Sequence, residues 1–199
     1  MSIEVRTDEQ RDSPTLIMVR GVPGGGKSYV AAKLRESIGE NQVVILDPDA
    51  IDQASDEYTD FSKSLTLENV DAKLHPYRFL RSRAHQGIAA RKTIIWNQGF
   101  IDLDGFGKTV NNLQAYAAEH GLQLPTLVVE VEIDSNVAKQ RVANRAAQGG
   151  HDVPEEAFGR FIGNYVSFSD KGYTTVTVRG EDDVNVSVAA ITKALGELR

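Results

Sequence analysis

The sequence predicts an α/β fold, a parallel sheet of five strands covered by helices on both faces. Three observations predict it. Short uncharged apolar runs recur, as at 15–19, 43–46 and 93–96, without the alternation that marks a half-exposed strand. Stretches of helical spacing separate these runs, and strands alternating with helices build parallel sheets. The first run feeds directly into a glycine-rich loop, Gly21-Val22-Pro23-Gly24-Gly25-Gly26-Lys27-Ser28, and helical spacing begins at its end.

The elements follow in order. From Lys27 the apolar residues Val30, Ala31, Leu34 and Ile38 share one side of a helix, and Gly39 is a natural stop. The second strand, 43–46, ends at Asp47-Pro48-Asp49, where proline breaks pairing between two carboxylates. A polar stretch then leads to a helical region from about 68 to 91, in which Pro76 forces either a kink or a fresh start. After the third strand at 93–96 comes a loop carrying Asp102 and Asp104, then a helix over 110–120 closed by Gly121. The fourth strand spans 126–133. Asp134-Ser135 caps a helix through Val137, Val142 and Ala146 to Gly149-Gly150. Pro154 suits the first turn of a helix ending near Phe168, and a fifth strand at 174–178 and a closing helix at 184–198 complete the chain.

With 199 residues, 41% hydrophobic and 25% charged, the chain buries one good core, so a single domain over 1–199 is expected. Paired glycines interrupting a basic helix beside a strand end predict a mobile lid at about 145–165. No apolar run approaches the roughly 20 residues of a membrane span, and the polar start at 1–14 lacks the apolar stretch of a signal peptide. A cytoplasmic location and no membrane partner are therefore expected. The absence of cysteine fits a reducing compartment and removes thiolate metal sites. A net charge of −6 speaks against a nucleic-acid partner, although basic residues cluster at Arg78, Arg81 and Arg83 and again at Lys139, Arg141 and Arg145.

The glycine-rich segment has the spacing of a phosphate-binding P-loop, between a strand and a helix as the mechanism demands. Gly21, Gly24, Gly25 and Gly26 let successive backbone N–H groups surround a phosphate, with Tyr29 following at the helix start. Lys27 reaches the β- and γ-phosphates, and the Ser28 hydroxyl ligates magnesium. Asp47 and Asp49 follow the second strand, at the carboxyl edge where ligands of open α/β sheets collect. One can accept a proton from a substrate hydroxyl and the other can hold a magnesium-bound water. From spacing alone Asp49 stands equally as base and as helix cap, and Asp47 fits a cap first. Arg141 and Arg145 share a helix face that is either solvated or turned toward phosphates in transfer, where arginines contribute about 10³ to 10⁵ in rate. The glycines that follow tip the pair toward the phosphates. His151 is a phosphate contact or a surface residue. Asp102 and Asp104 read as loop residues, and Tyr77, Phe79, Trp96 and Phe100 as core or pocket wall rather than a platform for bases.

Taken together these residues resemble the zeta-toxin family of small P-loop kinases, within the wider group of polynucleotide kinases and adenylate-kinase-like enzymes. Most of the chain takes part: the loop, Leu46-Asp47-Pro48-Asp49, His75-Pro76-Tyr77, Gln98-Gly99 after the third strand, and Arg141 with Gly149-Gly150-His151-Asp152-Val153-Pro154. The resemblance implies a P-loop three-layer sandwich with strand order 2-3-1-4-5, ATP with magnesium, and γ-phosphoryl transfer to a hydroxyl, which in the toxins belongs to UDP-N-acetylglucosamine. It implies Lys27 as the phosphate-binding lysine, Asp49 as the catalytic base, and Arg141 as a lid-side arginine on the transferred phosphate. An antitoxin protein is the partner the family brings with it. Where the toxins carry a glutamate for the sugar nucleotide, this chain has Gln98, which bears no charge.

The expected function is an ATP- and magnesium-dependent kinase acting on a hydroxyl of a nucleotide, sugar nucleotide or nucleoside. Asp49, Lys27, Arg141 and Arg145 are its catalytic residues, Ser28 and Asp47 its metal ligands, and Gln98 and His151 its substrate contacts. A polynucleotide 5′-hydroxyl kinase is the alternative among enzymes, and a regulatory ATPase without an acceptor is the alternative outside them.

Overall fold

β1 (Leu16–Gly21) is buried at all of its positions, as an unalternating run predicts for the middle of a covered sheet. It pairs with β3 (Thr93–Asn97) on one side and β4 (Thr126–Glu132) on the other, with Leu16 opposite Ile94 and Thr126. β2 (Val43–Leu46) lies outside β3, and β5 (Thr174–Arg179) lies outside β4. All pairings are parallel, and the order β2-β3-β1-β4-β5 is the one the resemblance implies. The structure, a computed structural model, describes residues 13–150 and 152–198; the chain start at 1–12 lies outside the described residues.

Alternate residues of each central strand feed opposite layers. Ile17, Val19, Leu127 and Val129 pack under α1 (Lys27–Ile38) and α7 (Val184–Glu197), which contribute Val30, Leu34 and Ile191. Leu16, Met18, Ile94 and Val128 pack under α3 (His75–Ala89) and α4 (Leu103–Glu119), which contribute Leu80, Ile88, Phe106 and Leu113. A smaller cluster joins Val22 of the glycine-rich loop to Ala138 and Val142 of α5 (Ser135–Ala147) and Phe158 of α6 (Glu155–Asn164). Among the described residues no helix is long and apolar enough to cross a membrane.

Four sequence expectations need correction. The polar stretch before residue 68 contains a helix, α2 (Asp56–Leu67), whose start is signalled by Ser55 accepting from the Tyr58 N–H at 3.3 Å and by Asp56 and Glu57 in the first turn. The helix expected from about 68 starts only at His75, because Asn69 enters the left-handed region (φ 58°) and closes α2. Pro76 then sits in the first turn of α3, where its missing N–H costs nothing. The helix expected from 110 starts already at Leu103, so Asp104 lies in the first turn of α4 rather than in a loop, and Asp102 caps it by accepting from the N–H groups of Asp104 (3.1 Å) and Gly105 (2.9 Å). Finally, the helix after Pro154 ends at Asn164 instead of near Phe168, since the following residues are drawn onto the sheet.

What draws them is an ion pair. Arg20 and Glu130 face each other from β1 and β4, fully buried, with Arg20 Nη1 donating to Glu130 Oε1. Arg20 also donates to the carbonyls of Phe100 (2.9 and 3.1 Å) and Val166 (2.8 Å), and its guanidinium lies over the rings of Phe168 and Tyr165. Glu130 accepts from the Phe168 N–H (2.7 Å) and the Ser167 hydroxyl (2.6 Å). Four of the five Arg20 N–H groups and both Glu130 oxygens have partners, which offsets the desolvation of both charges. Losing one partner leaves a buried unpaired charge, at about 3–5 kcal/mol. The loops after β3 and after α6 are thereby held beside Gly21.

Candidate functional site

The glycine-rich loop turns through left-handed backbone at Gly24 (φ 80°) and Gly26 (φ 93°), conformations that a side chain rarely adopts. It is also closely packed. A Cβ on Gly24 would lie 2.4 Å from the Ala138 carbonyl oxygen of α5, and one on Gly180 would lie 2.0 Å from the Gly25 carbonyl oxygen. The loop is held between α5 and the turn after β5. Gly26 is the residue before α1, and no side chain caps that helix, as none caps α3 or α6, whereas Ser55, Asp102, Asp134 and Asp183 cap α2, α4, α5 and α7. The first N–H groups of α1 and its positive end therefore face the loop without an internal anion.

Lys27 is half-buried, and its ammonium donates to the Val22 carbonyl at 3.0 Å. Burial brings its pKa down to about 8, with Asp47 and Asp49 opposing the shift and Arg145 adding to it. Those influences bring four of the expected site residues into one electrostatic neighbourhood. Arg141 is there as well. Its guanidinium donates to the Gly180 carbonyl at 2.9 Å and passes within 3.8 Å of where a Cβ on Gly26 would stand. α5 thus presents both Arg141 and Arg145 toward the loop, and not toward bulk solvent alone. Tyr29 is exposed at the start of α1.

Next to Lys27 lies a polar triangle. Asp47 Oδ2 accepts from Asn97 Nδ2 at 2.6 Å and from the Ser28 hydroxyl at 3.4 Å, and Asn97 Nδ2 also donates to Ser28 Oγ at 2.9 Å. Asp47 Oδ1 accepts from the Asp49 N–H at 2.9 Å, so Asp47 is both the cap of the short turn at 48–50 and a member of the triangle. The Asp49 side chain is exposed. The sequence reading missed Asn97. Its only signal is position: it ends the third strand, at the same carboxyl edge of the sheet as Asp47.

Magnesium binds through few protein oxygens and keeps waters and phosphate oxygens for the rest of its shell. The triangle suits that habit, with one carboxylate and one hydroxyl. Asn97 is 3% exposed, and its Oδ1 is a buried acceptor without a partner, an unmet need that a metal-bound water would fill. Among the described residues there is no group of three His, Cys, Asp or Glu to hold a metal by protein ligands alone.

Beyond Asn97 the chain enters a cavity of about 450 Å³. Tyr77 and Arg81 of α3, Trp96 and Gln98 at the end of β3, Lys108 of α4 and Phe161 of α6 line it. Gln98 is fixed there because its Oε1 accepts from Trp96 Nε1 at 3.0 Å. Phe161 closes over Gly99 so tightly that a Cβ on Gly99 would come within 2.8 Å of the ring. The turn at 48–50 packs against α3, one of the helices that line this cavity, although Asp47 and Asp49 are not themselves among the lining residues. Sequence reading missed Lys108 and Phe161 and took Arg81 only as part of a basic cluster. His151 lies outside the described residues. A second cavity of about 620 Å³ runs from Val22 past Ile162 of α6 to Tyr165 and Arg179.

Solved structures match this fold along its length. A protein provisionally assigned as a kinase from Chloroflexus aurantiacus j-10-fl aligns with a TM-score of 0.63 at 18% identity, covering 94% of this chain and 99% of that one. A gluconokinase from Sinorhizobium meliloti 1021 aligns at 0.56 and 18%, covering 93% of each chain. Deoxyadenosine kinase from M. mycoides aligns at 0.52 and 16%, covering 92% of this chain and 100% of that one. At such identities the likeness is one of fold. No curated protein matches the chain. The AAA domain family matches residues 16–167, from the first strand through the loop, the polar triangle, the cavity and α6, and the chain belongs to that family.

Proposed function

We propose that the protein is a kinase that transfers the γ-phosphoryl group of ATP to a hydroxyl of a small metabolite, of the nucleotide, sugar-nucleotide or nucleoside kind. One observation carries the reading: the turn bearing Asp47 and Asp49 influences Lys27 on one side and packs against the cavity-lining helix α3 on the other. A carboxylate on that turn is near Lys27 and beside a helix that walls a space of about 450 Å³, large enough for such an acceptor. The gluconokinase and deoxyadenosine kinase of the same fold support it. The zeta-toxin resemblance keeps UDP-N-acetylglucosamine among the acceptors and an antitoxin among the partners.

In this reading the loop N–H groups and the first turn of α1 hold the triphosphate, and Lys27 binds its outer phosphates. Ser28 and Asp47 hold magnesium, which when bound neutralises phosphate charge. Asp49 orients the acceptor hydroxyl and takes its proton. The new bond joins the acceptor oxygen to the γ-phosphorus, while the bond from that phosphorus to the bridging oxygen breaks and its electron pair leaves with ADP. Arg141 and Arg145 turn from their present contacts to the phosphoryl oxygens in transit, where charge develops. The segment at about 145–165 acts as the lid, with Phe161 excluding water from the acceptor.

Substituting Asp49→Asn tests the assignment. With labelled ATP and a panel of acceptors, kcat is expected to fall by about 10² to 10⁴, with ATP affinity within a few-fold of the parent. Near-parental transfer by that variant would remove Asp49 from the mechanism.

A further inference from the structure

The acceptor cavity offers donors rather than acceptors. Arg81 is half-buried in its wall, and among the described residues no carboxylate stands within ion-pair distance of it or of Lys108. Burial and the neighbouring Arg78 both hold the Arg81 pKa below its ordinary value, as befits a cation set in a wall without a counter-ion. Gln98 has its carbonyl oxygen occupied by Trp96, which leaves its NH₂ as the polarity it can offer. Asp102 is the one carboxylate at the rim, and its two oxygens are already taken by the first N–H groups of α4. Tyr77, Trp96 and Phe161 supply flat apolar walls.

Resting on the hydroxyl-kinase reading, we propose that the acceptor is an anion, a small molecule whose carboxylate or phosphate group is held by Arg81 and Lys108 while its hydroxyl reaches Asp49. A neutral sugar or nucleoside would leave the half-buried Arg81 without a counter-ion, whereas an anionic one supplies the missing charge and can also draw in the exposed Lys108 at the rim. Gln98 fits the same logic. A glutamate there would set a third charge, of the wrong sign, against the ligand, and the amide of equal shape adds donors instead.

The experiment supplies labelled ATP with pairs of which only one member is anionic: D-gluconate against D-glucose, AMP against adenosine, and UDP-N-acetylglucosamine against N-acetylglucosamine. Label is expected in anionic members, with kcat/KM at least tenfold above the neutral counterpart; the gluconate and nucleotide arms separate carboxylate from phosphate recognition. Arg81→Gln is expected to raise the KM of the preferred anion by about ten- to a hundredfold and to narrow its advantage over the neutral partner. Gln98→Glu, which keeps the bond from Trp96, is expected to shift KM in the same direction, and melting curves of both variants check that they fold. Preference for the neutral members, or an unchanged anion-to-neutral ratio in both variants, overturns the inference and leaves the kinase reading standing. If ATP binds and no acceptor of either class is labelled, the kinase reading fails and takes the inference with it.

Discussion

On the loop side of the cleft, eight consecutive residues, Gly21 to Ser28, supply the backbone turns, the cation and the hydroxyl. On the cavity side, Tyr77, Arg81, Trp96, Gln98, Lys108 and Phe161 come from three helices and a strand end. The loop side works mainly through backbone geometry, which is why it needs glycine at positive φ and cannot admit a Cβ against Ala138. The cavity side works mainly through side chains, of which Trp96 is also part of the core under α3 and the rest stand on the surfaces of separate elements. The difference teaches where the cleft is rigid and where it is adjustable: the loop is tied to the fold, and in the proposed reading acceptor identity rests on six separate side chains. Arg20, one residue before the loop, links the two by holding the Phe100 and Val166 carbonyls to the sheet.

The largest break in this comparison is expected from Lys27→Ala. If one ammonium carries the charge of the phosphate site, its loss lowers kcat/KM by about 10³ for every acceptor alike. Titration of ATP and steady-state assays with two unrelated acceptors check this. An effect confined to one acceptor would mean that the loop side is not general.

A smaller and opposite pair of slopes is expected with pH. Lys27 has a pKa of about 8 in the folded protein against an ordinary 10.5, so the unfolded chain binds more protons between these values and stability rises with pH across that window. The full effect is about 3 kcal/mol. Triphosphate binding needs the charged form and has the reverse sign: affinity is expected to fall toward tenfold per unit as pH rises above about 8, with proton uptake on binding. Denaturant titrations and calorimetry in two buffers at pH 7.5 and 9.5 read both slopes on one sample. Parallel slopes would show that another group governs the pH response.

The same contrast explains what was legible in the sequence. The loop, the sheet, and the placement of Asp47, Arg141 and Arg145 near Lys27 could be read because strand runs, glycine spacing and helical i, i+4 faces are local signals. α2 was missed because only its caps and a few buried residues, Tyr58 and Leu65, announce it within a polar stretch. Asn97 was missed because a lone amide at a strand end carries no spacing signal, and only the fold brings it to Asp47 and Ser28. Phe161 and Lys108 reach the cavity only through tertiary packing, and no spacing rule connects residues 77, 98, 108 and 161.

The smallest expected effect sharpens the comparison most, because it touches one side alone. Phe161 sits on α6, beyond the paired glycines, and reaches the cavity by lying against Gly99. Phe161→Ala removes an apolar wall and opens a gap that the rigid strand end cannot fill. Lost contact with the acceptor is expected to raise its KM several-fold, and entry of water is expected to raise ATP hydrolysis relative to transfer. ATP affinity should stay within about twofold, since nothing on the loop is disturbed; at about 0.4 kcal/mol such a change is well below the loss of any loop group. Transfer-to-hydrolysis ratios measured beside ATP titrations decide the matter. An unchanged ratio would place Phe161 in the cavity wall only as packing, and a fall in ATP affinity to match the acceptor effect would mean that the two sides of the cleft do not act separately.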